Sequence, residues 1–283
     1  MERVKQLINY LNQHKQTQSK ILIMLLLCEL LGFLYCSNAI ANDTTTGEDE
    51  YILGSRYYKG TQVRQDFKEA MKWYKKAAEQ GYDKAQFNLA LMYQQGTGID
   101  QNPDAAIYWY TKAAKQDIPE ASYNLGLIYY KGKVVEQNYI KAFKWYRKAA
   151  RENYANAQFN LAGLFYRGYG VGKSINKAIY WYRRAYYQNI HQAGYILGVI
   201  YSSEPTELNY EKAFKWFEKA AEHDHVKAQF KTGEFYYKGY GVEKNYTEAF
   251  KWLEKAAENG SEEAETYLKY INKGYDKTNV YYE

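Results

Sequence analysis

The sequence predicts an all-α fold, a solenoid of six two-helix repeats closed by one further helix. Two observations predict it. All six tryptophans are spaced by 36 residues, or once by 35, and each has a helix-capping residue seven positions before it and a helix-ending residue eight positions after it. The tryptophans are Trp73, Trp109, Trp145, Trp181, Trp216 and Trp252. Such a period indicates an array in which each unit buries its apolar face on its neighbours.

The tryptophan helix is the second of each pair, and residues 138–153 show its pattern best. Ala142, Trp145, Tyr146 and Ala149 recur at the spacing of a helix that is buried on one face. The predicted caps are Asp66, Asn102, Asn138, Ser174, Asn209 and Asn245. The predicted helix-ending residues are Gly81, Asp117, Asn153, Asn189, Asp224 and Gly260.

The first helix of each pair starts near a recurring alanine and carries a small residue five positions later. These small residues are Ala90, Gly126, Ala162, Gly198 and Gly233, and a small side chain there lets two helices approach closely. The predicted pairs are 49–82, 83–117, 118–153, 154–189, 190–224 and 225–260, with a polar capping helix at 261–272 and a flexible tail at 273–283. The fifth pair is one residue shorter and lacks the glycine loop of the others.

The third repeat shows the consensus most clearly. Its pattern is carried by Ala121, Leu125, Gly126, Tyr129, Gly132, Ala142, Trp145, Tyr146, Ala149 and Ala150. This pattern resembles the Sel-one-like repeat family, relatives of the tetratricopeptide repeats, over residues 49–272. The resemblance implies a right-handed α-solenoid that holds protein partners together, often in the bacterial envelope or in contact with a host. Fold alone does not assign a function.

Residues 1–41 have the pattern of an export signal. A basic leader precedes an apolar run that begins at Ile21, and Ala39-Ile40-Ala41 has the small-residue pattern of a cleavage site before a linker at 42–48. We therefore expect a periplasmic or secreted protein. The alternative is an inner-membrane anchor formed by residues 21–41, although Glu29 lies within the apolar run, where a charge is costly in lipid.

Enzymatic motifs are weak, and we expect neither an enzyme nor a cofactor. A cysteine-rich branch of the resembled family is linked to penicillin binding and β-lactamase activity, but Cys28 and Cys36 are the only cysteines. The Ser174-to-Lys177 spacing matches a β-lactamase signature, yet Ser174 is a predicted helix cap. The three residues 223–225, His-Asp-His, lack further metal ligands. The alternative function is an envelope hydrolase of the β-lactamase or penicillin-binding kind, or a glycan-binding protein.

Positions that vary between the copies are free to bind a partner. On each first helix these are positions three, six and ten after the leading alanine, which by analogy with tetratricopeptide arrays line the concave side. The candidate residues for binding a protein or peptide are Asn88, Asn124, Asn160, Tyr130, Lys131, Tyr166, Arg167, Lys231 and Lys238. The asparagines could bind an extended peptide backbone or could equally bond adjacent helices. The tyrosines are anchors if they are exposed.

Basic charge is concentrated in the middle of the array. Residues 118–153 carry seven basic and three acidic residues, and residues 154–189 carry five basic residues and no acidic one. An outer lysine or arginine recurs in every repeat, and in three repeats an acid three residues later could neutralise it. We therefore expect an acidic segment of a partner to bind repeats three and four, the alternative being a basic surface without a partner. The net charge of +6 is too small to argue for nucleic acid.

Overall fold

The computed structural model describes residues 47–203 and 206–278, and all the regular structure in these ranges is helical. The helices are α1 Glu48–Lys59, α2 Phe67–Glu79, α3 Asp83–Gln95, α4 Pro103–Lys115, α5 Pro119–Lys131, α6 Tyr139–Arg151, α7 Ala155–Arg167, α8 Ile175–Tyr186, α9 Gln192–Ser202, α10 Glu207–Ala221, α11 Val226–Lys238, α12 Tyr246–Glu258 and α13 Glu262–Thr278. Each helix packs mainly on the helices before and after it in sequence, as expected for a solenoid. This confirms the predicted fold class.

Alanines, leucines and other apolar residues form the core of the array, and every repeat buries one large residue at an equivalent position of its second helix. The large residues are Tyr74, Tyr110, Tyr146, Tyr182, Phe217 and Leu253, all at most 4% exposed. Each faces the small residue of the first helix in its own pair. A Cβ on Gly126 would lie 2.5 Å from Cδ1 of Tyr146, and a Cβ on Gly198 would lie equally close to Phe217. The predicted close helix approach is therefore confirmed.

The predicted second-helix boundaries are mostly confirmed. The side chains of Asp66, Asn102, Asn138, Ser174 and Asn245 each accept a hydrogen bond from a backbone N–H in the first turn. All six predicted helix-ending residues have positive φ, including the four that are not glycine. Asparagine and aspartate tolerate this conformation better than other non-glycine residues, which explains their use there.

Asn209 was wrongly predicted as a cap, because α10 begins earlier than its counterparts. Thr206 is the N-cap, and its hydroxyl accepts a hydrogen bond from the backbone N–H of Asn209. Asn209 therefore lies inside the first turn of the helix. The preceding helix α9 ends at Ser202 without the left-handed glycine of the other first helices. Both differences belong to the irregular fifth repeat.

The tryptophans lie less deep than the sequence pattern predicts. Only Trp216 is buried, at 8% exposure, whereas Trp145 and the other four are half-buried. Trp145 packs on a cluster built by α3, α4 and α5, so it reaches back to the preceding repeat. Its neighbour Tyr146 is the residue that fills the centre of its own repeat.

Buried glutamines join the repeats in pairs. Gln86, Gln158 and Gln229 are at most 4% exposed, and each donates from Nε2 to the carbonyl oxygen of an alanine eight residues earlier, at 3.1–3.3 Å. Each side-chain oxygen accepts a hydrogen bond from an amide 30 residues later, at 2.7–3.0 Å. The equivalent positions in repeats three and five hold Ser122 and Gly194. The amide groups of the three glutamines are hydrogen-bonded, so they stabilise the junctions that they span, whereas the Ser122 hydroxyl has no partner among the described residues.

Helix α13 covers the end of the array and runs to Thr278, past residue 272 where the sequence placed the end of the solenoid. Its Ala264 and Ile271 are buried with Leu253 and Ala256 of α12. None of the helices in the described ranges combines the length and apolar character that a membrane crossing needs. The expected signal peptide or anchor at 1–41 lies outside the described residues, as do the linker up to residue 46 and the tail from residue 279.

Candidate binding groove

Two cavities open on the first-helix face, the surface formed by positions three, six and ten of the first helices. They share four lining positions, one repeat apart, and differ in the others. One lies between repeats two and three at Lys131, and the other lies at Arg167 and reaches from repeat three to repeat five. We call them the Lys131 cavity and the Arg167 cavity. Together they form the candidate groove.

The Arg167 cavity has a volume of about 200 Å³. Its walls include Phe159, Leu164 and Tyr182, whose rings and aliphatic groups belong to the central core cluster. Ile196 of α9 forms the wall on the side of repeat five. Polar side chains, among them Gln192, also line it. A cavity with apolar and polar walls and a charged rim can hold the side chain of a binding partner.

Arg167 is exposed at the end of α7 and is held in place by aromatic residues. Its Nη1 donates a hydrogen bond to Oη of Tyr130 on α5 at 2.9 Å, and its guanidinium carbon lies 5.9 Å from the ring centre of Tyr169. Burial raises the pKa of Tyr182 to about 12, and the positive charge of Arg167 partly offsets this. The guanidinium therefore has a defined position above the cavity.

The Lys131 cavity has a volume of about 280 Å³, and part of it lies against the start of α4 and the loop after α5. Lys131 is exposed at the end of α5, and Leu127 and Ile128 supply apolar wall. Gln94 occupies the place that Tyr130 has in the other cavity, and its side-chain oxygen accepts a hydrogen bond from Tyr110 at 2.6 Å. Lys133 also lines this cavity, so it presents two cations beside apolar surface, whereas the other cavity presents Arg167.

The asparagine ladder of the first-helix face lies beside buried tyrosines. Asn88, Asn124 and Asn160 are half-buried. Burial raises the pKa of Tyr74, Tyr110 and Tyr146, and the asparagine 14 residues after each tyrosine opposes that rise through its side chain. The Tyr146 hydroxyl nevertheless has no hydrogen-bond partner of good geometry among the described residues. Asn160 also lines the Arg167 cavity. Its side chain can therefore contact a neighbouring helix and a ligand in the cavity at the same time.

The remaining predicted site residues lie apart from the two cavities. Tyr166 is half-buried and packs on the central core cluster. Lys231 and Lys238 both bind the carboxylate of Glu234, with N–O distances of 2.7 and 2.6 Å. Burial would raise the pKa of Glu234, but the hydrogen bonds from the two lysines outweigh it and lower the pKa. The two lysines share this one carboxylate, so the three residues keep a net charge of +1, whereas no acidic side chain lines the cavities at Lys131 and Arg167.

The outer basic residues are paired differently from the sequence prediction. Lys76 binds Glu50 at 3.0 Å and Lys255 binds Asp224 at 2.9 Å, instead of an acid three residues later on the same helix. Lys148, the outer lysine of the third repeat, has no acid three residues later on its helix, but it binds Asp117 at 3.0 Å. The partner in two of these pairs is the helix-ending residue of the preceding repeat, which same-helix spacing does not indicate.

The weak catalytic and metal motifs have structural roles. The Ser174 hydroxyl accepts a hydrogen bond from the backbone N–H of Lys177 at 3.4 Å, and the Lys177 ammonium lies 5.4 Å from the ring centre of Phe165. His223 stacks on His191 with ring centres 3.7 Å apart, and Nδ1 of His225 accepts a hydrogen bond from the N–H of Ala228. Among the described residues, no three His, Cys, Asp or Glu side chains form a possible metal site.

Sequence analysis missed Gly163 as a determinant of the groove. The equivalent positions hold Leu91, Leu127, Val199 and Glu234. A glycine where the other copies have a larger side chain was therefore visible in the sequence. Phe159 and Tyr182, which were not among the predicted site residues, also line the Arg167 cavity.

Six consecutive segments match the family described as Sel1 repeat. They are residues 48–82, 83–118, 119–154, 155–190, 192–225 and 226–261. The chain belongs to the Sel1 repeat family. Members of this family typically serve as scaffolds for protein–protein interaction, and the match confirms the resemblance seen in the sequence.

Two solved structures are similar to this Sel1 repeat chain. One is a protective antigen present in uropathogenic Escherichia coli strains, with 32% identity, a TM-score of 0.74, and coverage of 83% of this chain and 50% of that one. The other is a Sel1 repeat protein from Oxalobacter formigenes, with 32% identity, a TM-score of 0.59, and coverage of 74% and 84%. The chain thus spans about half the length of the first. No curated protein matches the sequence.

Proposed function

We propose that this Sel1 repeat protein is an exported scaffold that binds an acidic segment of a partner protein in the groove of repeats three and four. The observation that carries the proposal is the pair of cations above the two cavities. Lys131 and Arg167 occupy position ten of successive first helices, and each stands beside apolar wall. In the sixth repeat the corresponding Lys238 forms an ion pair with Glu234, which it shares with Lys231. In the second and fifth repeats the position holds Gln95 and Ser203.

The surrounding charge supports an acidic partner. Residues 154–189 contain five basic residues and no acidic one, whereas residues 190–224 carry three basic and six acidic residues. The positive surface therefore ends at the fifth repeat. Complementary charge speeds association and favours one partner over others, and added salt weakens it.

Export is supported by residues 1–41, with their basic leader, apolar run and Ala39-Ile40-Ala41. The similar antigen of uropathogenic Escherichia coli is described as protective. We propose a periplasmic or secreted location on this basis, with a membrane anchor at 21–41 as the alternative.

The binding proposal can be tested with a fluorescein-labelled peptide that has four glutamates around a central glycine. Fluorescence anisotropy would measure its affinity for the chain, with the corresponding lysine peptide as the probe control. We expect only the acidic peptide to bind, and its affinity to fall about tenfold or more from low to physiological salt. The variant Lys131→Glu/Arg167→Glu should lower the affinity by a similar factor, because it reverses both cations.

The matched control is Lys115→Glu/Lys144→Glu. It changes the net charge by the same amount at two exposed second-helix positions that line neither cavity. The control should bind the acidic peptide nearly as tightly as the parent. Equal loss in both variants would mean non-specific charge attraction. Failure of the parent chain to bind the acidic peptide, or equal binding of the lysine peptide, would overturn the proposal.

A further inference from the structure

A missing side chain creates the space of the Arg167 cavity. At position six of the five first helices α3, α5, α7, α9 and α11, the chain has leucine, leucine, glycine, valine and glutamate. The glycine is Gly163. A Cβ built on it would meet only Oη of Tyr182, at an ordinary contact distance of 3.5 Å. By contrast, a Cβ on Gly126 or Gly233 would clash with core side chains, so those glycines are required for helix packing.

Gly163 therefore has no packing requirement for being small. Glycine is also a poor residue for a helix interior, because it leaves more conformational freedom in the unfolded chain. A leucine here, as at Leu91 and Leu127, would favour the helix and occupy the cavity. Because Gly163 has no side chain, the space beside Phe159 and Ile196 stays open.

The size and chemistry of the space indicate what it can hold. A dry apolar cavity of about 150 Å³ is large enough for benzene, and this one has about 200 Å³. It can therefore take a phenylalanine or leucine side chain. A guanidinium carries five N–H donors, so the bond from Arg167 to Tyr130 leaves donors for a carboxylate next to that side chain.

We propose that the Arg167 cavity is a specificity pocket for one large apolar side chain, phenylalanine or leucine, flanked by acidic residues in the partner segment. Gly163 opens the pocket, and Arg167 binds the neighbouring carboxylate. This inference rests on the proposed function, since it specifies what the acidic segment carries. The proposed occupant of the pocket is a side chain of a peptide. The alternative outcome of the test is a partner that is held by charge alone.

The test compares labelled peptides in which four glutamates surround a central phenylalanine, leucine or glycine. We expect the parent chain to bind the phenylalanine and leucine peptides about tenfold more tightly than the glycine peptide, because burying a large apolar side chain is favourable. Gly163→Leu should bind all three peptides equally and with the affinity that the parent has for the glycine peptide. Arg167 is intact in this variant, so its attraction for acidic residues remains.

Gly163→Ala is the matched control, because one methyl group makes an ordinary contact with Tyr182 and leaves most of the space open. It should keep at least half of the preference for phenylalanine over glycine. Both substitutions favour helix over glycine, and thermal unfolding by circular dichroism should show that neither lowers stability.

The outcomes separate the two proposals. If the three peptides bind the parent equally, or if Gly163→Leu keeps the preference for phenylalanine, the specificity pocket is wrong while acidic binding stands. If none of the acidic peptides binds, both proposals are wrong. A preference for phenylalanine that Gly163→Leu removes and Gly163→Ala retains would support the pocket.

Discussion

Lys148 binds Asp117 across a repeat junction, with Nζ 3.0 Å from Oδ1. Asp117 ends α4 in the left-handed conformation, with φ 60°, and Lys148 lies on α6 of the next repeat. Lys255 and Asp224 repeat the contact, and Arg184 donates to Oδ1 of Asn153 in the same way. One aspartate or asparagine thus ends a helix and also joins it to the next repeat.

The two roles of Asp117 can be separated by mutation. Asp117→Asn removes the charge but keeps a residue that tolerates positive φ, so it should cost less than about 1 kcal/mol, as for a surface ion pair. Asp117→Val should cost more, because a β-branched residue is strained at this φ. Urea unfolding at low and high salt would measure both. The loss for the asparagine variant should shrink with salt; a loss independent of salt would contradict the ion-pair role.

Tyr146 should contribute more to stability than the neighbouring Trp145. Tyr146 is 1% exposed and Trp145 is half-buried, so Tyr146→Ala should cost about 3–5 kcal/mol and Trp145→Ala roughly half of that. Denaturant unfolding of the two variants would give both values. An equal or larger loss for Trp145→Ala would show that its contact with the preceding repeat matters more than depth of burial.

Stability should fall when the pH drops below about 6.5, because of histidines at the fifth repeat. Burial lowers the pKa of His191 below its ordinary value of 6.5, and the neighbouring His223 lowers it further. Burial likewise lowers the pKa of His225. The unfolded chain therefore binds protons before the folded chain does, so this stability is fully present above pH 6.5 and is lost as the pH falls towards the folded-state pKa values.

Urea midpoints measured between pH 7.5 and 5.5 would test this dependence. His191→Gln should remove part of it, and His191→Gln/His225→Asn should remove most, since asparagine can still cap α11. The carboxyl pKa values of Glu50 and Asp224 are also lowered. These two groups therefore affect stability only below about pH 4.5, outside the range of the experiment. A midpoint that is constant from pH 7.5 to 5.5 would contradict the prediction.

The export signal predicts a defined N-terminus. If cleavage follows Ala41, Edman sequencing of the protein recovered from the periplasm or the medium should begin at Asn42. Replacing Ala39 and Ala41 by a bulky residue should block processing. An intact Met1 in a membrane fraction would instead establish the anchor.

The periodic sequence was sufficient to predict the helices, most of their caps and the positions where they approach closely. Each of these depends on local chemistry, such as the side-chain oxygen of Asn138 or the small size of Gly126. The depth of Trp145 was not predictable in the same way. Trp145 and Tyr146 are adjacent in sequence, about 100° apart around the helix, and periodicity alone does not decide which of them faces the centre.

Contacts between repeats were the main part that sequence missed. A buried Gln158 looks unfavourable until the carbonyl oxygen of Ala150 and the amide of Gln188 are in place around it. The ion pair of Lys148 likewise needs a partner 31 residues away, beyond the reach of same-helix spacing. Of the predicted site residues, the structure brings Tyr130, Asn160 and Arg167 together at one cavity and places Lys131 at its counterpart.

A buried glutamine occurs at the position of Gln158 in repeats two, four and six, but not in repeats three and five. This alternation determines how the length of the array could be changed. Deleting residues 83–154, two whole repeats, would bring α7 onto α2 and place Gln158 beside the carbonyl of Ala78, where Gln86 donates now. Deleting only residues 83–118 would bring Ser122 there, whose shorter side chain would not replace the glutamine, so that carbonyl would lose its side-chain donor and keep its bond from the backbone N–H of Gly81. Shortening or lengthening the array should therefore succeed in steps of two repeats and be costly in steps of one.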